Sequence, residues 1–363
     1  MITKRYTHQR KPQASRRAIS SAALGTLVLL SIPAPGAALK LFTWEDYVSE
    51  QLIELWEQRH GSRVEQVFYD SDEKRDAVLG SSSATVFDLV IVDAQSGQLM
   101  GENQILAPVN TKQVPNLHNI GKRWSGSCGG YGLPYSWGTL GLVYRTDKFA
   151  QAPSSWAELI DPDPLHQGHI VMHKDRIDTL IPPLAMAGHD MFSENPDELR
   201  EAFERLQRQL PHVLSYEYVL TVAKDKATRK QIHLALAYSG DQDTLNEMDG
   251  EGRWSYTIPK EGTGIWVDCV AVLAASKHRE QSYQFLNFLG DASNAAHTVE
   301  DIYVASPNKQ ALRLLSPELL HNRLLFPDDA TLEGSHFYRI VSAQNMLLRY
   351  RIVNALSRAH ETQ

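Results

Sequence analysis

The stretch VFDLVIVDA, residues 86–94, constrains the fold more than any other part of this chain. It is so apolar that, as a strand, both of its faces must be covered. A strand of that kind sits inside a sheet with helices on either side, and its neighbours supply such helices. LKLFTW (39–44) reads as a short buried strand, and Val48, Leu52, Leu55 and Trp56 then recur at helical spacing up to Gly61, which can take a left-handed cap. RVEQVFY (63–69) reads as a second strand and EKRDAVLG (73–80) as a short helix. Strands alternating with helices predict an α/β protein with mainly parallel sheets wrapped by helices.

The 363 residues are enough for two such units. YGLPYSWGTLGLVYRTDKF (131–149) has the length and glycine content of an extended segment that leaves one domain and enters another. Beyond it, SSWAELI, GHIVMH, TLIPPLAMAG, NPDELREAFERLQRQL and IHLALAYSG alternate helix and strand again. GIWVDCVAVLAAS (264–276) returns as a strand, and YQFLNFLGDASNAAHTVE (283–300) follows as a helical stretch. Two α/β lobes joined by more than one crossing segment fit this order better than two consecutive domains.

Residues 1–38 differ from the rest. Six basic residues and a run of small and apolar ones, AISSAALGTLVLLSI, precede PAPGAA, the order of a secretory signal cleaved after Ala38. The run is shorter than the ~20 apolar residues of a membrane span. SRRAIS also resembles a twin-arginine export signal, so the export route stays open. Removing this leader leaves 30 basic against 43 acidic residues, a net charge of −13. Such a surface repels nucleic-acid phosphates and attracts cations. An exported chain could oxidise its two cysteines, Cys128 and Cys269, to one disulfide, although spacing alone does not show that they meet.

In open α/β sheets, ligands bind beyond the carboxyl ends of the strands. Here those ends share a composition: Trp44, Glu45, Asp46 and Tyr47 after the first strand, Asp93 and Gln95 after the third, Asp175 and Asp178 in VMHKDRID, Tyr238 and Asp241 in LALAYSGD, Trp266 and Asp268 in the returning segment. Carboxylates attract ammonium groups, and aromatic faces attract cations and pack against methylenes. Together they imply an elongated organic polycation as ligand. Taken singly, Trp44, Trp266 and Tyr238 could be core residues, Asp46 could cap a helix, and Asp175 could pair with Arg176.

LFTWEDYV, FDLVIVDAQ, GLPYSWGTLGLVYRTD, SSWAELIDP, YSGD, IPKEGTGIWVDCVAV, FLNFL and SPNKQALRLLSPE occur in the order found in bacterial periplasmic polyamine-binding proteins, which the chain resembles over nearly its whole length after the leader. These are the spermidine/putrescine receptors of ABC importers. The resemblance implies a two-lobed periplasmic-binding-protein fold of type II that closes by a hinge on its ligand. Lobe 1 would comprise 39–142 and 267–314, and lobe 2 would comprise 143–266 and 315–363. It carries ligand-binding roles to Trp44, Asp46, Tyr47, Asp175, Asp178, Trp266 and Asp268. Asp93, Gln95, Tyr238 and Tyr338 stand at four further site positions where the family often has a small hydroxyl residue, a Tyr, a Trp and a Gln, and Asp46 and Asp178 replace Glu. The site thus keeps acids and rings but changes its dimensions.

The same resemblance implies a monomeric protein without cofactor that hands a spermidine-, norspermidine- or putrescine-class ligand to an inner-membrane ABC permease. Norspermidine-sensing relatives instead report to receptors that control cyclic di-GMP, so a signalling partner stands beside the transport one. A ligand of another class on the same fold would need a different set of groups; an anion, for example, calls for Arg or helix N-termini. His166, His169 and His173 are close in sequence, but Gly168 and the strand after it describe a loop entering a sheet rather than a zinc site. No nucleophile elbow, HExxH, P-loop or dinucleotide fingerprint is present, which speaks against an enzyme.

Overall fold

The computed structural model describes residues 36–362. The expected leader lies outside the described residues except for its last three positions, which begin β1 (Gly36–Thr43). The first helix, α1 (Glu50–His60), follows from its ends inward. Ser49 accepts the Leu52 N–H at its N-terminus, Glu50 in the first turn and Arg59 in the last match the helix dipole, and Gly61 closes it at φ 63°. Its buried stripe is Leu52, Ile53 and Trp56, with Val48 buried just ahead of the cap and Leu55 only half-buried. Then come β2 (Ser62–Phe68), α2 (Asp72–Leu79), β3 (Leu89–Asp93) and α3 (Ala94–Glu102). Leu89, Val90, Ile91 and Val92 are all fully buried, as a strand covered on both faces must be.

The later strands are β4 (Gly132–Arg145), β5 (Ile170–Val171), β6 (Val213–Ser215), β7 (Leu234–Tyr238), β8 (Trp254–Thr257), β9 (Gly264–Val272) and β10 (His336–Phe337). They continue one path of order β2-β1-β3-β9-β4-β7-β5-β6, with β8 beside β4 and β10 beside β9. The outer triplets β2-β1-β3 and β7-β5-β6 are parallel, as expected. The centre is not: β9 runs antiparallel to β3 and to β4, and β4 antiparallel to β7. The reason is connectivity, since a segment that leaves one lobe and one that returns to it travel in opposite directions. Within β4, Gly132–Thr139 pairs with β9 while Leu140–Tyr144 pairs with β7, so one strand belongs to both lobes.

Each lobe has its own core. The first gathers Leu41, Trp56, Ile91, Val270 and Phe285. In the second, the two-residue period of β7 divides the side chains: Leu234 and Leu236 enter a core with Trp156 and Leu206, and Ala235 and Ala237 enter one with Val219 and Trp254. Beyond the expected boundary at 314, Leu315, Leu325 and Leu332 still pack in the first core. β10 pairs with Gly264 and Ile265, and beyond it Val341, Ile352 and Leu356 pack in the second core.

Cys128 and Cys269 form a disulfide across 141 positions, tying the loop before β4 to β9. Among the described residues no helix is long and apolar enough to cross a membrane.

Candidate functional site

The centre of the cleft is laid out by strand register. Asp268 on β9 lies opposite Asp93 of β3 on one side and Ser136 of β4 on the other. The Tyr47 hydroxyl, brought in from the turn after β1, donates to Asp268 and lies 2.9 Å from Ser136 Oγ. Tyr135 donates to the Tyr47 carbonyl at 3.2 Å and holds that turn in place. Burial raises the Asp268 carboxyl to about 6; Asp93 pushes the same way, while Tyr47 and Arg75 oppose it.

Trp266 lies two residues before Asp268 and therefore on the same face of the strand. Its indole rests on Gly138, where a Cβ would come within 2.3 Å of the ring, so glycine is what admits it. The Trp266 Nε1 is buried with no hydrogen-bond partner within the protein. Its ring meets Tyr238 edge to face, with centroids 6.0 Å apart.

From the second lobe comes Asp178, which is 2% exposed. Its two oxygens accept the hydroxyls of Tyr238 and Tyr338. Burial and then Asp175 push its carboxyl up to about 7. His173 Nδ1 stands 3.9 Å away, but burial lowers that imidazole to about 4, so at neutral pH it brings no countercharge. Asp175 accepts the N–H groups of Ile177 and Asp178 at 2.6 and 2.8 Å and shapes the turn that presents Asp178. Asp241 holds Tyr238 in place, accepting its N–H at 2.8 Å, and also accepts the Tyr218 hydroxyl at 2.5 Å.

The structure thus brings together Tyr47, Asp178, Tyr238, Trp266, Asp268 and Tyr338. Others of the expected residues are placed differently. Trp44 is half-buried against the first core, its ring 4.4 Å from that of Tyr69. Asp46 is exposed in left-handed backbone at φ 57°, and the helix it might have capped is capped by Ser49. Asp93 caps α3 through the Ser96 N–H at 2.8 Å and pairs with Arg75 at 3.2 Å. Gln95 donates to the Tyr338 carbonyl at 2.6 Å, a link between α3 and the segment after β10.

Sequence reasoning missed Arg75. It is 1% exposed and lies 2.7 Å from Asp72, 2.8 Å from Asp76 and 2.9 Å from the Ser96 hydroxyl. In EKRDAVLG it looks like an ordinary helix-surface charge beside acids of its own helix; nothing local distinguishes it. Two ion pairs also span the cleft, Arg176–Glu73 at 3.1 Å and Lys224–Glu45 at 3.6 Å, so Arg176 pairs with Glu73 of α2 and not with Asp175. The three histidines do not converge: His166 and His169 gather at His233, while His173 faces Tyr218 and Tyr238. No group of three or more His, Cys, Asp or Glu among the described residues is placed to hold a metal ion.

Two α/β lobes with a ring-and-carboxyl cleft at their crossing strands define a binding protein that encloses a small solute. The chain belongs to the bacterial extracellular solute-binding protein family, whose pattern residues 51–325 match. It is 31% identical over 342 residues to the norspermidine sensor of Vibrio cholerae serotype O1, covering 94% of this chain and 95% of that one. It is 23% identical to the spermidine/putrescine-binding periplasmic protein of Escherichia coli K12, covering 92% and 95%. A putative spermidine/putrescine ABC transporter structure from Listeria monocytogenes shares the fold at a TM-score of 0.80 and 23% identity, covering 89% of this chain and 99% of that one.

Proposed function

We propose that this protein captures a polyamine between its lobes, in the periplasm and after removal of its leader, and presents it to a membrane partner without chemical turnover. The observation that carries this reading is a pair of desolvated carboxyls, Asp268 two residues from Trp266 on β9 and Asp178 bonded to Tyr238, whose ring meets Trp266. Charge buried in such a cleft needs an opposite charge in place of water. Ammonium groups fit at the two acids, and the methylenes between them fit against Trp266 and Tyr238. The unpartnered Trp266 Nε1 leaves one donor for a ligand or a water.

Tyr47, Tyr238 and Tyr338 act in this reading as placeholders that donate to the acids until ammonium groups arrive. Asp175 sets the Asp178 turn and Gln95 fastens the closed lobes, while Trp44 and Asp46 form the outer edge. The lobes divide within β4, between β8 and β9, and at β10. The membrane partner is an ABC permease or a signalling receptor, and the names of similar proteins include both a sensor and an ABC transporter. Gene deletion followed by polyamine uptake and biofilm assays separates these: uptake lost with biofilm unchanged gives transport, the reverse gives sensing.

Calorimetry of the protein with putrescine, spermidine, norspermidine and spermine tests the binding itself. Saturable heat with at least one of them is expected. Absence of both heat and thermal shift with all four would overturn the reading.

A further inference from the structure

The acids of the cleft differ in how they are occupied. Asp93 and Asp268 are register partners on adjacent antiparallel strands, so their side chains leave the same face of the sheet, with Cα atoms about 5 Å apart. Asp268 accepts from a neutral hydroxyl, which an incoming cation can displace. Asp93 has no such freedom: one oxygen caps α3, and the other faces a guanidinium.

That guanidinium belongs to Arg75, which also lies 5.8 Å from the centroid of Tyr69, the ring that backs Trp44. It is the positive charge inserted into an acidic wall made by Asp72, Asp76 and Asp93. Burial holds the Asp72 carboxyl up against the opposing pull of Arg75, and Asp93 and then Asp175 of the opposite lobe add to the rise. Asp72 and Asp76 stand on the same helix as Arg75, three residues before and one after, and can serve it without Asp93. The reach to β3 is therefore the contact in need of a reason.

We propose that Arg75 is a specificity-determining residue, a resident cation that occupies the Asp93 end of the cleft, so that a bound amine finds ammonium partners at Asp268 and Asp178 but not at Asp93. The inference rests on the polyamine reading above and sets which polyamines that site prefers. An amine whose extra ammonium extends past Asp268 toward Asp93 meets the buried like charge of Arg75 there, and that disfavours it relative to shorter amines. If Arg75 served only to fasten α2 to α3, changing it would lower stability without altering the ranking of ligands.

A double-mutant cycle with Asp93→Asn and Arg75→Gln, titrated with putrescine and spermine, tests this. Asparagine caps a helix about as well as aspartate, so Asp93→Asn keeps α3 intact. The expected effect of Asp93→Asn on spermine affinity is less than fivefold in the wild-type background and at least tenfold when Arg75 is Gln, because Asp93 is then free to meet the ligand. Arg75→Gln alone should raise the spermine-to-putrescine affinity ratio at least tenfold. A fivefold or greater loss from Asp93→Asn in the wild type would overturn the proposal, as would an unchanged ratio in a folded Arg75→Gln protein. Should Arg75→Gln fail to fold, the single Asp93→Asn result decides by the same fivefold limit. If the wild-type protein binds neither amine nor any other polyamine, the polyamine reading itself falls and takes this inference with it.

Discussion

At the residue scale, the proposed cation site depends on the carboxyls of Asp178 and Asp268, and their titration makes that testable. Their folded-state carboxyls sit near 7 and 6, above the ordinary aspartate value of 3.8, chiefly through burial. Each of these two carboxyls therefore gives the unliganded protein a falling slope of stability with pH, present in full below about pH 4 and lost as the pH rises through its folded value, while His173, lowered to about 4, acts in the opposite sense. Asp178→Asn should flatten this slope and raise the melting temperature at pH 8 by several degrees, while removing polyamine binding; thermal scans at pH 5 and pH 8 check the sign. A bound ammonium favours the ionised carboxyl, so ligand binding at pH 6 should release protons. Titrations in buffers of different ionisation enthalpy measure that release, and equal heats in all buffers would contradict it. Gly138→Ala should push Trp266 off its seat, with at least a tenfold loss of ligand affinity. Tyr47, Asp178, Tyr238, Trp266 and Asp268, which the structure brings together, could be picked out because they sit in or just past strands, whereas Tyr338 rested on the family resemblance. Arg75 could not be picked out, because helical spacing beside Asp72 and Asp76 is equally the pattern of a solvent-exposed ion pair.

At the scale of elements, local rules account for most of the helices and for the first three strands. Ser49 and Gly61 bound α1, and an uninterrupted apolar run made β3 unmistakable. The long helical stretch 283–300 instead forms two helices, Arg279–Leu289 and Ala292–Ile302, because Asp291 turns out of the first and caps the second through the Ser293 N–H at 3.0 Å. The direction of β9 could not be read locally, since an apolar strand looks the same run either way. It follows from the path of the chain between the lobes, and the Cys128–Cys269 bridge, which closes a loop of 141 positions, ties β9 to the loop before β4. Replacing both cysteines by alanine should lower unfolding stability by roughly 2–5 kcal/mol in a denaturant titration. The strand end that carries Trp266 and Asp268 should loosen with it, and hydrogen exchange along β9 would report that.

At the scale of the whole molecule, the contacts between the two lobes include Arg176–Glu73, Lys224–Glu45 and the Gln95 link to the Tyr338 carbonyl. Such contacts are weak singly when solvent reaches them, which suits a cleft that must open and close. Arg176→Ala combined with Gln95→Ala should weaken every polyamine by a similar factor, about three- to tenfold, leaving their ranking intact; calorimetry across the four amines checks this, and a changed ranking would place those residues at the ligand. The sequence by itself determined the α/β class, the alternation of strands and helices on both sides of the crossing segments and the acids and rings at strand ends, because strand burial, helix caps and charge are properties of short segments. Only the tertiary structure decided that Asp268 faces Asp93 and Ser136, that Asp178 lies under two tyrosines, that Asp46 stays outside, and that Arg75 enters the acidic wall. Those relations depend on the register of strands far apart in the chain and on how deeply each charge is taken out of water, and neither is written in any local pattern.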